Sequence, residues 1–245
     1  MKILPPRTIF ITGMSCAGKS TICNEMIRKI SNAFPLRRND VIWSMMHVDV
    51  SYSGESSFSG EQNELPPFED YVARDAVFPD NARLVETPFG KLLQVMPRNA
   101  FYARHASPQS YLVLAKIAGA GLALDKIPVL DRFLAKHIES GTLGKYLNLP
   151  FFQGFPKFLL HFVADPEVCY ERFLQRQESE NQWDAARRDV HNLSKEMFVK
   201  NFALKEKSPQ GLERIPHLTI DTTFKTPPEC IEECLSYVGG DINQI

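Results

Sequence analysis

Apolar residues along this chain fall into short runs separated by polar, charged and proline-containing segments. Five of the runs are rich in β-branched and aromatic residues and are bounded by loop-forming residues, which is typical of buried strands. We therefore predict strands over residues 8–12, 41–50, 127–131, 158–164 and 217–221.

Between these strands, apolar residues recur at intervals of three and four, the spacing of one buried helix face. The first such segment follows strand 8–12 and must end before Pro35, because proline interrupts a helix interior. Further helices are predicted over residues 109–124, 166–178, 183–202 and 228–238. Strands that alternate with helices predict an α/β fold with a mainly parallel sheet covered by helices.

Residues 51–107 interrupt this alternation. The segment opens with serines and glycines and contains five prolines and four arginines. A long irregular stretch inside a compact domain is usually a functional lid or binding insertion, or else is partly disordered. We predict a single domain over residues 1–245, in which 51–107 forms a substrate-binding insertion or lid.

Charge and composition narrow the class of protein. Lys and Arg (28) nearly balance Asp and Glu (29), so no whole-molecule field would attract nucleic acid or anionic lipid. The apolar runs are shorter than the roughly 18 residues of a membrane span. The five cysteines show neither a metal-binding spacing nor the density of a disulfide scaffold. We therefore expect a cytoplasmic protein that binds neither nucleic acid nor membrane.

Residues 13–20 read Gly-Met-Ser-Cys-Ala-Gly-Lys-Ser and match the P-loop pattern G-x-x-x-x-G-K-[ST] at every fixed position. The loop lies between a predicted strand and a predicted helix, which is the context this pattern requires. Its glycines let backbone N–H groups surround a phosphate, Lys19 neutralises the β- and γ-phosphates, and the Ser20 hydroxyl is a ligand for Mg²⁺. The predicted ATP contacts are Gly13, Ser15, Cys16, Ala17, Gly18, Lys19, Ser20 and Thr21.

Two carboxylates are predicted near this loop. Asp131 ends strand 127–131, where a parallel sheet delivers side chains to the nucleotide crevice. It could hold Mg²⁺ through water or instead cap the next helix, and the adjacent Arg132 could clamp an anion. Asp49, near the end of strand 41–50, could accept the proton of an attacking hydroxyl or simply form a turn.

Arg172 and Arg176 lie four residues apart on the helix predicted over 166–178 and therefore share one face. Phosphoryl transfer spreads negative charge over the equatorial oxygens, which arginines on a closing lid stabilise. We expect both arginines in a LID-like helical region over residues 172–210. Alternatively, they are solvated and pair with neighbouring glutamates at little energetic gain.

A P-loop is shared by kinases, GTPases, motors and transporters, but no guanine-binding signature follows this one. The chain resembles the P-loop small-molecule kinases, and most specifically the chloramphenicol phosphotransferase family. The matching features are the Ser-x-Ala-Gly-Lys-Ser form of the loop, Val48-Asp49, Asp131, the arginine pair, and the run Ile220-Asp221-Thr222-Thr223-Phe224-Lys225.

This resemblance implies a three-layer, nucleoside-kinase-like P-loop fold with a five-stranded parallel sheet. It implies that ATP with Mg²⁺ donates its γ-phosphoryl group to a hydroxyl of a small molecule. It also implies that Asp49 is the base that contacts the acceptor, and that Thr222 and Thr223 lie near the adenine.

A second resemblance changes the expected acceptor. Asp131-Arg132-Phe133 is similar to the Asp-Arg-aromatic motif of thymidylate kinases, and the run from Asp165 to Arg172 is similar to the Pro-Glu-Val helix start of deoxynucleoside kinases. In that case the acceptor is a nucleoside or nucleotide held by Arg132. Two further alternatives are a P-loop toxin that phosphorylates a sugar nucleotide and a nucleotide-binding protein without turnover.

Overall fold

The computed structural model describes residues 2–37, 41, 47–49, 82–87, 90–95, 107–133, 135–179, 194–200 and 204–240. The chain divides into two compact units. The larger comprises Met1–Arg37 and Ala115–Ile245, and the smaller comprises Arg38–Leu114.

Strands and helices alternate through most of the described chain. Its strands, numbered in chain order, are β1 (Thr8–Gly13), β2 (Ala33–Arg37), β3 (His47–Asp49), β4 (Ala82–Thr87), β5 (Gly90–Val95), β6 (Ile127–Phe133), β7 (Lys157–Val163) and β8 (Leu218–Asp221). Its α-helices are α1 (Lys19–Lys29), α2 (Ser107–Leu122), α3 (Ala135–Glu139), α4 (Thr142–Leu147), α5 (Pro166–Ser179), α6 (Lys195–Phe198), α7 (Leu204–Lys207) and α8 (Pro227–Gly239). Short 3₁₀ segments lie at Pro150–Phe152 and Leu212–Arg214.

The larger unit is built on a five-stranded sheet in the order β2-β6-β1-β7-β8. Every pairing in it is parallel, so the carboxyl ends of all five strands lie at one edge. β1 occupies the centre of the sheet. The loop that follows β1 therefore leaves the sheet at the middle of this edge, where open α/β sheets bind their ligands.

Helices cover both faces of this sheet. On one face, α1 and α8 bury apolar side chains such as Met26 and Cys234 in the same core cluster as Ile11 and Phe162 of the strands. On the other face, Phe10 of β1 packs edge-on against Tyr146 of α4, with ring centroids 6.2 Å apart. The predicted α/β fold with a five-stranded parallel sheet is confirmed.

The strand predicted over 41–50 is found at residues 47–49, but these residues belong to a different sheet; residues 42–46 and 50 lie outside the described residues. The strand beyond β6 in the parallel sheet is β2, which among the described residues pairs with β6 alone, at the sheet edge, and contains Pro35 opposite Val129. Proline lacks an N–H, so strands tolerate it at an edge, where one side of the backbone needs no partner. Helix α1 ends at Lys29, before Pro35 as predicted, and Pro35 itself belongs to the next strand.

The smaller unit contains a three-stranded antiparallel sheet in the order β3-β5-β4. β4 and β5 form a hairpin in which Thr87 lies opposite Gly90. Both strands belong to the segment 51–107, for which no strand was predicted, so that expectation was wrong for these residues. A short connection between two antiparallel strands is typical of hairpins. Most of the predicted helix 183–202 lies outside the described residues, and α6 is its described part.

Candidate nucleotide-binding site

The loop after β1 begins at a point of close contact between two strands. Gly13 pairs with Phe162 of β7, and the next N–H, that of Met14, donates to the Phe162 carbonyl oxygen at 2.9 Å. Gly13 has a φ of 119°, a value that L side chains rarely adopt. The first glycine of the motif is thus required both by backbone conformation and by space.

Two more residues of the loop have a positive φ, Cys16 at 60° and Gly18 at 78°. The N–H of Ala17 donates back to the Met14 carbonyl oxygen at 3.3 Å, which closes a tight turn. Left-handed residues between right-handed ones turn successive N–H groups toward one concave side, an arrangement that binds anions.

Helix α1 begins at Lys19 directly after this turn. Its N-cap residue is Gly18, which has no side chain to cap the first N–H groups, and no acidic residue lies in the first turn. The positive end of the helix dipole is therefore not neutralised within the helix, which favours a bound anion.

The functional side chains of α1 lie at this end of the helix. Lys19 is half-buried, and its Nζ donates to the carbonyl oxygens of Gly13 at 2.8 Å and Met14 at 2.5 Å. Ser20 and Thr21 are exposed at the start of the helix. The structure thus brings together the residues predicted to contact ATP in one loop and one helix end.

Asp131 lies in β6, paired in register with Ile11 of β1 and Arg37 of β2. Its Oδ1 atom is buried and receives no hydrogen bond from the described residues. A buried carboxylate oxygen is costly unless a donor or cation satisfies it. The β1–β6 register shifts just beyond this pair, at Arg132, and such irregularities are frequent beside active sites.

Asp131 and Lys19 both act on Cys23, one turn into α1. Burial is the main cause that raises the pKa of the Cys23 thiol, the charge of Asp131 raises it further, and the charge of Lys19 lowers it. One buried side chain therefore senses both charges. The pairing of Asp131 with Ile11, two residues before Gly13, places Asp131 at the strand end from which the P-loop leaves the sheet.

Thr222, which follows β8, lies against the P-loop. Its N–H donates to the Val163 carbonyl oxygen at 2.9 Å, and its hydroxyl donates to the Ala17 carbonyl oxygen at 3.1 Å. Arg172 of α5 donates from Nη1 to the Thr222 hydroxyl at 3.0 Å and from Nη2 to the Thr222 carbonyl oxygen at 2.8 Å. Thr222 and Arg172 were both predicted at the site, but the contact between them was not, because the residues are distant in sequence.

Thr223 supports the junction between β7 and α5. Its hydroxyl accepts the Asp165 N–H at 2.8 Å and donates to Asp221 Oδ1 at 2.5 Å, and its own N–H donates to the same oxygen at 2.8 Å. Partial burial would raise the pKa of Asp221, but the two hydrogen bonds from Thr223 outweigh it and lower that pKa.

The remaining predicted residues lie elsewhere. Arg176 is exposed one turn further along α5. Asp49 was predicted near the end of a strand of the P-loop sheet. It lies instead in β3 of the smaller sheet, opposite Leu92 of β5. The pattern that predicted a strand there was correct for residues 47–49 but assigned them to the wrong sheet.

Within the described residues, no three His, Cys, Asp or Glu side chains group closely enough to hold a metal ion. A Mg²⁺ ion bound with a nucleotide does not need such a group of side chains, because it takes one or two carboxylates and completes its coordination shell with phosphates and water. In the same part of the chain, no helix has the length and apolar character needed to cross a membrane.

No protein-family model matches the chain, and no curated protein matches its sequence. Among solved structures, a candidate kinase from Chloroflexus aurantiacus J-10-fl aligns with a TM-score of 0.52 and 15% identity, over 95% of this chain and 98% of the other. An unliganded sugar kinase from Janibacter sp. HTCC2649 aligns with a TM-score of 0.46 and 13% identity, over 96% of this chain and 95% of the other. The Deinococcus radiodurans tunicamycin resistance protein aligns with a TM-score of 0.46 and 12% identity, over 96% of each chain. The first likeness shows that this chain has a kinase-like α/β fold.

Proposed function

We propose that this chain is an ATP-dependent phosphotransferase that moves the γ-phosphoryl group to a hydroxyl of a small molecule. The observation that carries the proposal is the conformation of the P-loop: its left-handed residues, Cys16 and Gly18, lead directly into an uncapped helix N-terminus at Lys19. This combination of a turn and a helix end suits a polyphosphate.

Lys19 would bind the β- and γ-phosphates. Its ammonium group donates to two P-loop carbonyl oxygens, so it already lies over the loop. A phosphate oxygen bound there would replace one or both carbonyls and form a stronger, charge-assisted hydrogen bond. Arg176, exposed on α5, would stabilise the charge of the transferring group.

Asp131 and Ser20 fit a magnesium site. The buried Oδ1 of Asp131, which receives no hydrogen bond from the described residues, can accept one from a metal-bound water, and the exposed Ser20 hydroxyl is the usual P-loop ligand. When bound, Mg²⁺ neutralises charge on the phosphates. In this proposal the Ser20 hydroxyl is the direct oxygen ligand of the metal, and the Asp131 carboxylate accepts a hydrogen bond from a metal-bound water.

The acceptor would be a hydroxyl compound of the kind used by chloramphenicol phosphotransferase. Asp49 would accept the hydroxyl proton, Arg132 would hold an anionic part of the acceptor, and Thr223 would lie near the adenine. These three roles rest on the resemblance of the sequence. Asp49→Asn tests the first of them, since loss of the base should lower the rate strongly while ATP binding stays the same.

The proposal is tested by phosphoryl transfer with Lys19→Ala and its matched control Lys29→Ala. Lys29 is exposed at the opposite end of the same helix, so its removal changes the charge of α1 without touching the loop. Purified proteins are incubated with Mg-ATP and a panel of chloramphenicol-type alcohols, nucleosides, nucleotides and sugars, and products are detected by mass spectrometry.

We expect a phosphorylated product with the wild type and Lys29→Ala but none with Lys19→Ala. Unchanged turnover in Lys19→Ala would refute the proposal. Mg-ATP binding without a product from any acceptor in the panel would instead identify a nucleotide-binding protein without turnover.

A further inference from the structure

Arg172 and Thr222 form a connection between α5 and the backbone of the P-loop. The guanidinium group makes two hydrogen bonds to Thr222, one to the hydroxyl and one to the carbonyl oxygen. The Thr222 side chain is 4% exposed, so water competes little for these bonds. An arginine fork that binds two atoms of a single buried residue fixes both groups in place.

The direction of the Thr222 hydroxyl proton follows from this contact. A guanidinium group can only donate, so the hydroxyl oxygen accepts from Arg172 and keeps its single proton for another acceptor. The nearest acceptor is the Ala17 carbonyl oxygen at 3.1 Å, with the Val163 carbonyl oxygen further away at 3.4 Å. Arg172 thus holds the Thr222 side chain in place while the hydroxyl donates its proton to the P-loop.

The Ala17–Gly18 peptide is the unit that this hydrogen bond holds. In a trans peptide the carbonyl group and the N–H point in opposite directions, and no cis peptide occurs in the described residues. Because the Ala17 carbonyl points to Thr222, the Gly18 N–H points away from it. Gly18 has left-handed φ and no side chain, so this peptide could otherwise rotate at little cost.

We propose that Arg172 and Thr222 are positioning residues that hold the Ala17–Gly18 peptide in its phosphate-binding orientation. Arg172 would then act on nucleotide affinity through the loop and would not touch the transferring phosphoryl group. This inference rests on the proposed function for its ligand, whereas the orientation of the peptide is a property of the nucleotide-free protein.

The test compares Arg172→Ala, Thr222→Val, the double variant, and Gln175→Ala as a control on an exposed position of the same helix. Binding of Mg-ADP is measured by calorimetry, and inorganic tripolyphosphate is used as a second probe that lacks the base. Loss of the fixed peptide orientation should weaken binding about tenfold, the equivalent of about one hydrogen bond to the phosphate. We expect this loss in both single variants, with either probe, and no larger loss in the double variant, because the two residues act as one unit.

Conservative variants separate positioning from a purely structural role. Thr222→Ser keeps the hydroxyl and should bind ADP within about twofold of the wild type, whereas Arg172→Lys keeps the charge without the fork and should resemble Arg172→Ala. If Thr222→Val does not fold, this second pair gives the same comparison. Loss of kcat in Arg172→Ala with unchanged ADP affinity would overturn the proposal, as would additive losses in the double variant.

Hydrogen exchange of the nucleotide-free protein distinguishes this inference from the proposed function. The N–H groups of Ala17 and Ile22, which donate to the carbonyl oxygens of Met14 and Gly18, should exchange faster in Arg172→Ala and Thr222→Val than in Gln175→Ala. If the wild type binds neither ADP nor tripolyphosphate, the proposed function fails, and the exchange result still tests the connection. Unchanged exchange in both variants would refute the inference that Arg172 and Thr222 hold the Ala17–Gly18 peptide.

Discussion

The backbone of Phe162 occupies the position that a side chain on Gly13 would need. A Cβ placed on Gly13 would lie 2.0 Å from the Phe162 carbonyl oxygen and 2.5 Å from its nitrogen. Both atoms belong to β7, which lies between β1 and β8 in the sheet, where they cannot move without breaking the pairing with β1. The P-loop therefore leaves the sheet from a point at which two strands are in direct backbone contact.

Replacement of Gly13 by alanine should destabilise the fold by more than about 2 kcal/mol, since a positive φ alone costs about 1–3 kcal/mol and the backbone clash adds to it. Urea unfolding measures the change. Gly141→Ala is the matched control: Gly141 also has a positive φ, 68°, but a Cβ there meets nothing within 4 Å. The control should lose only the conformational cost, about 1 kcal/mol. Equal losses in the two variants would contradict the clash.

The P-loop could be predicted from the sequence because its determinants are contiguous. Gly13, Gly18 and Lys19 act through local backbone conformation and the adjacent helix, and the pattern contains all three. The second strand could not be predicted in the same way, because the edge position that makes Pro35 acceptable is set by which strand lies beside it.

The contact between Thr222 and Ala17 could not be predicted from the sequence either. The two residues are 205 positions apart, and no periodicity or spacing relates them. They meet because β7 and β8 are neighbours in the sheet, so that Thr222 follows β8 at the same edge from which the P-loop leaves β1. The sheet assignment of Asp49 failed for the related reason that strand patterns do not specify a partner strand.

Asp131→Asn should weaken the use of Mg²⁺ with little effect on the nucleotide-free fold. Loss of a carboxylate that orients metal-bound water typically costs about 10- to 100-fold in metal affinity. We expect the Mg²⁺ concentration for half-maximal ATP binding to rise by that factor, measured by calorimetry at several Mg²⁺ concentrations. Without metal, the amide removes a buried negative charge that the described residues leave unpaired at Oδ1, so thermal stability should be unchanged or higher.

A carboxylate that merely capped a helix would behave differently. Asp131→Asn would then keep its Mg²⁺ dependence, because asparagine is an equally good capping residue. Unchanged Mg²⁺ dependence would therefore exclude Asp131 from the metal site. Asp125→Asn, at an exposed position before β6, controls for the loss of one negative charge.

Cys16 should be the first cysteine to react with a thiol reagent. It is partly exposed in the P-loop, whereas the other four cysteines are buried. Burial raises the pKa of the Cys169 thiol from 9.0 to about 11 and that of Cys234 to about 12. Because the thiolate is the reactive form, Cys169 would hold roughly 100-fold less of it than an ordinary thiol near neutral pH.

This order is measured by mass spectrometry after timed alkylation with iodoacetamide. Mg-ADP should slow labelling of Cys16 if it occupies the loop, and Cys16→Ser should remove the fast phase. Rapid labelling of Cys169 in the folded protein would contradict the burial that raises its pKa.

His161 should make the protein less stable in mild acid. Its side chain is 1% exposed, Nε2 contacts the Lys207 carbonyl oxygen at 3.0 Å, and Nδ1 has no hydrogen-bond partner among the described residues. Burial is the main cause that lowers its pKa below 6.5. Below that pH the unfolded chain takes up a proton more readily than the folded one, so the free energy of unfolding falls as the pH drops through 6.5 toward the folded-state pKa.

Urea unfolding between about pH 7 and about pH 5 measures this slope, within the range in which imidazole titrates. His161→Gln cannot take up the proton, so its stability should fall less over the same interval than that of the wild type. Leu159→Val is the control for general loss of stability, since Leu159 is buried on the same strand and the variant retains His161. It should be less stable at every pH but keep the wild-type slope. A slope that survives in His161→Gln would show that His161 is not the group responsible.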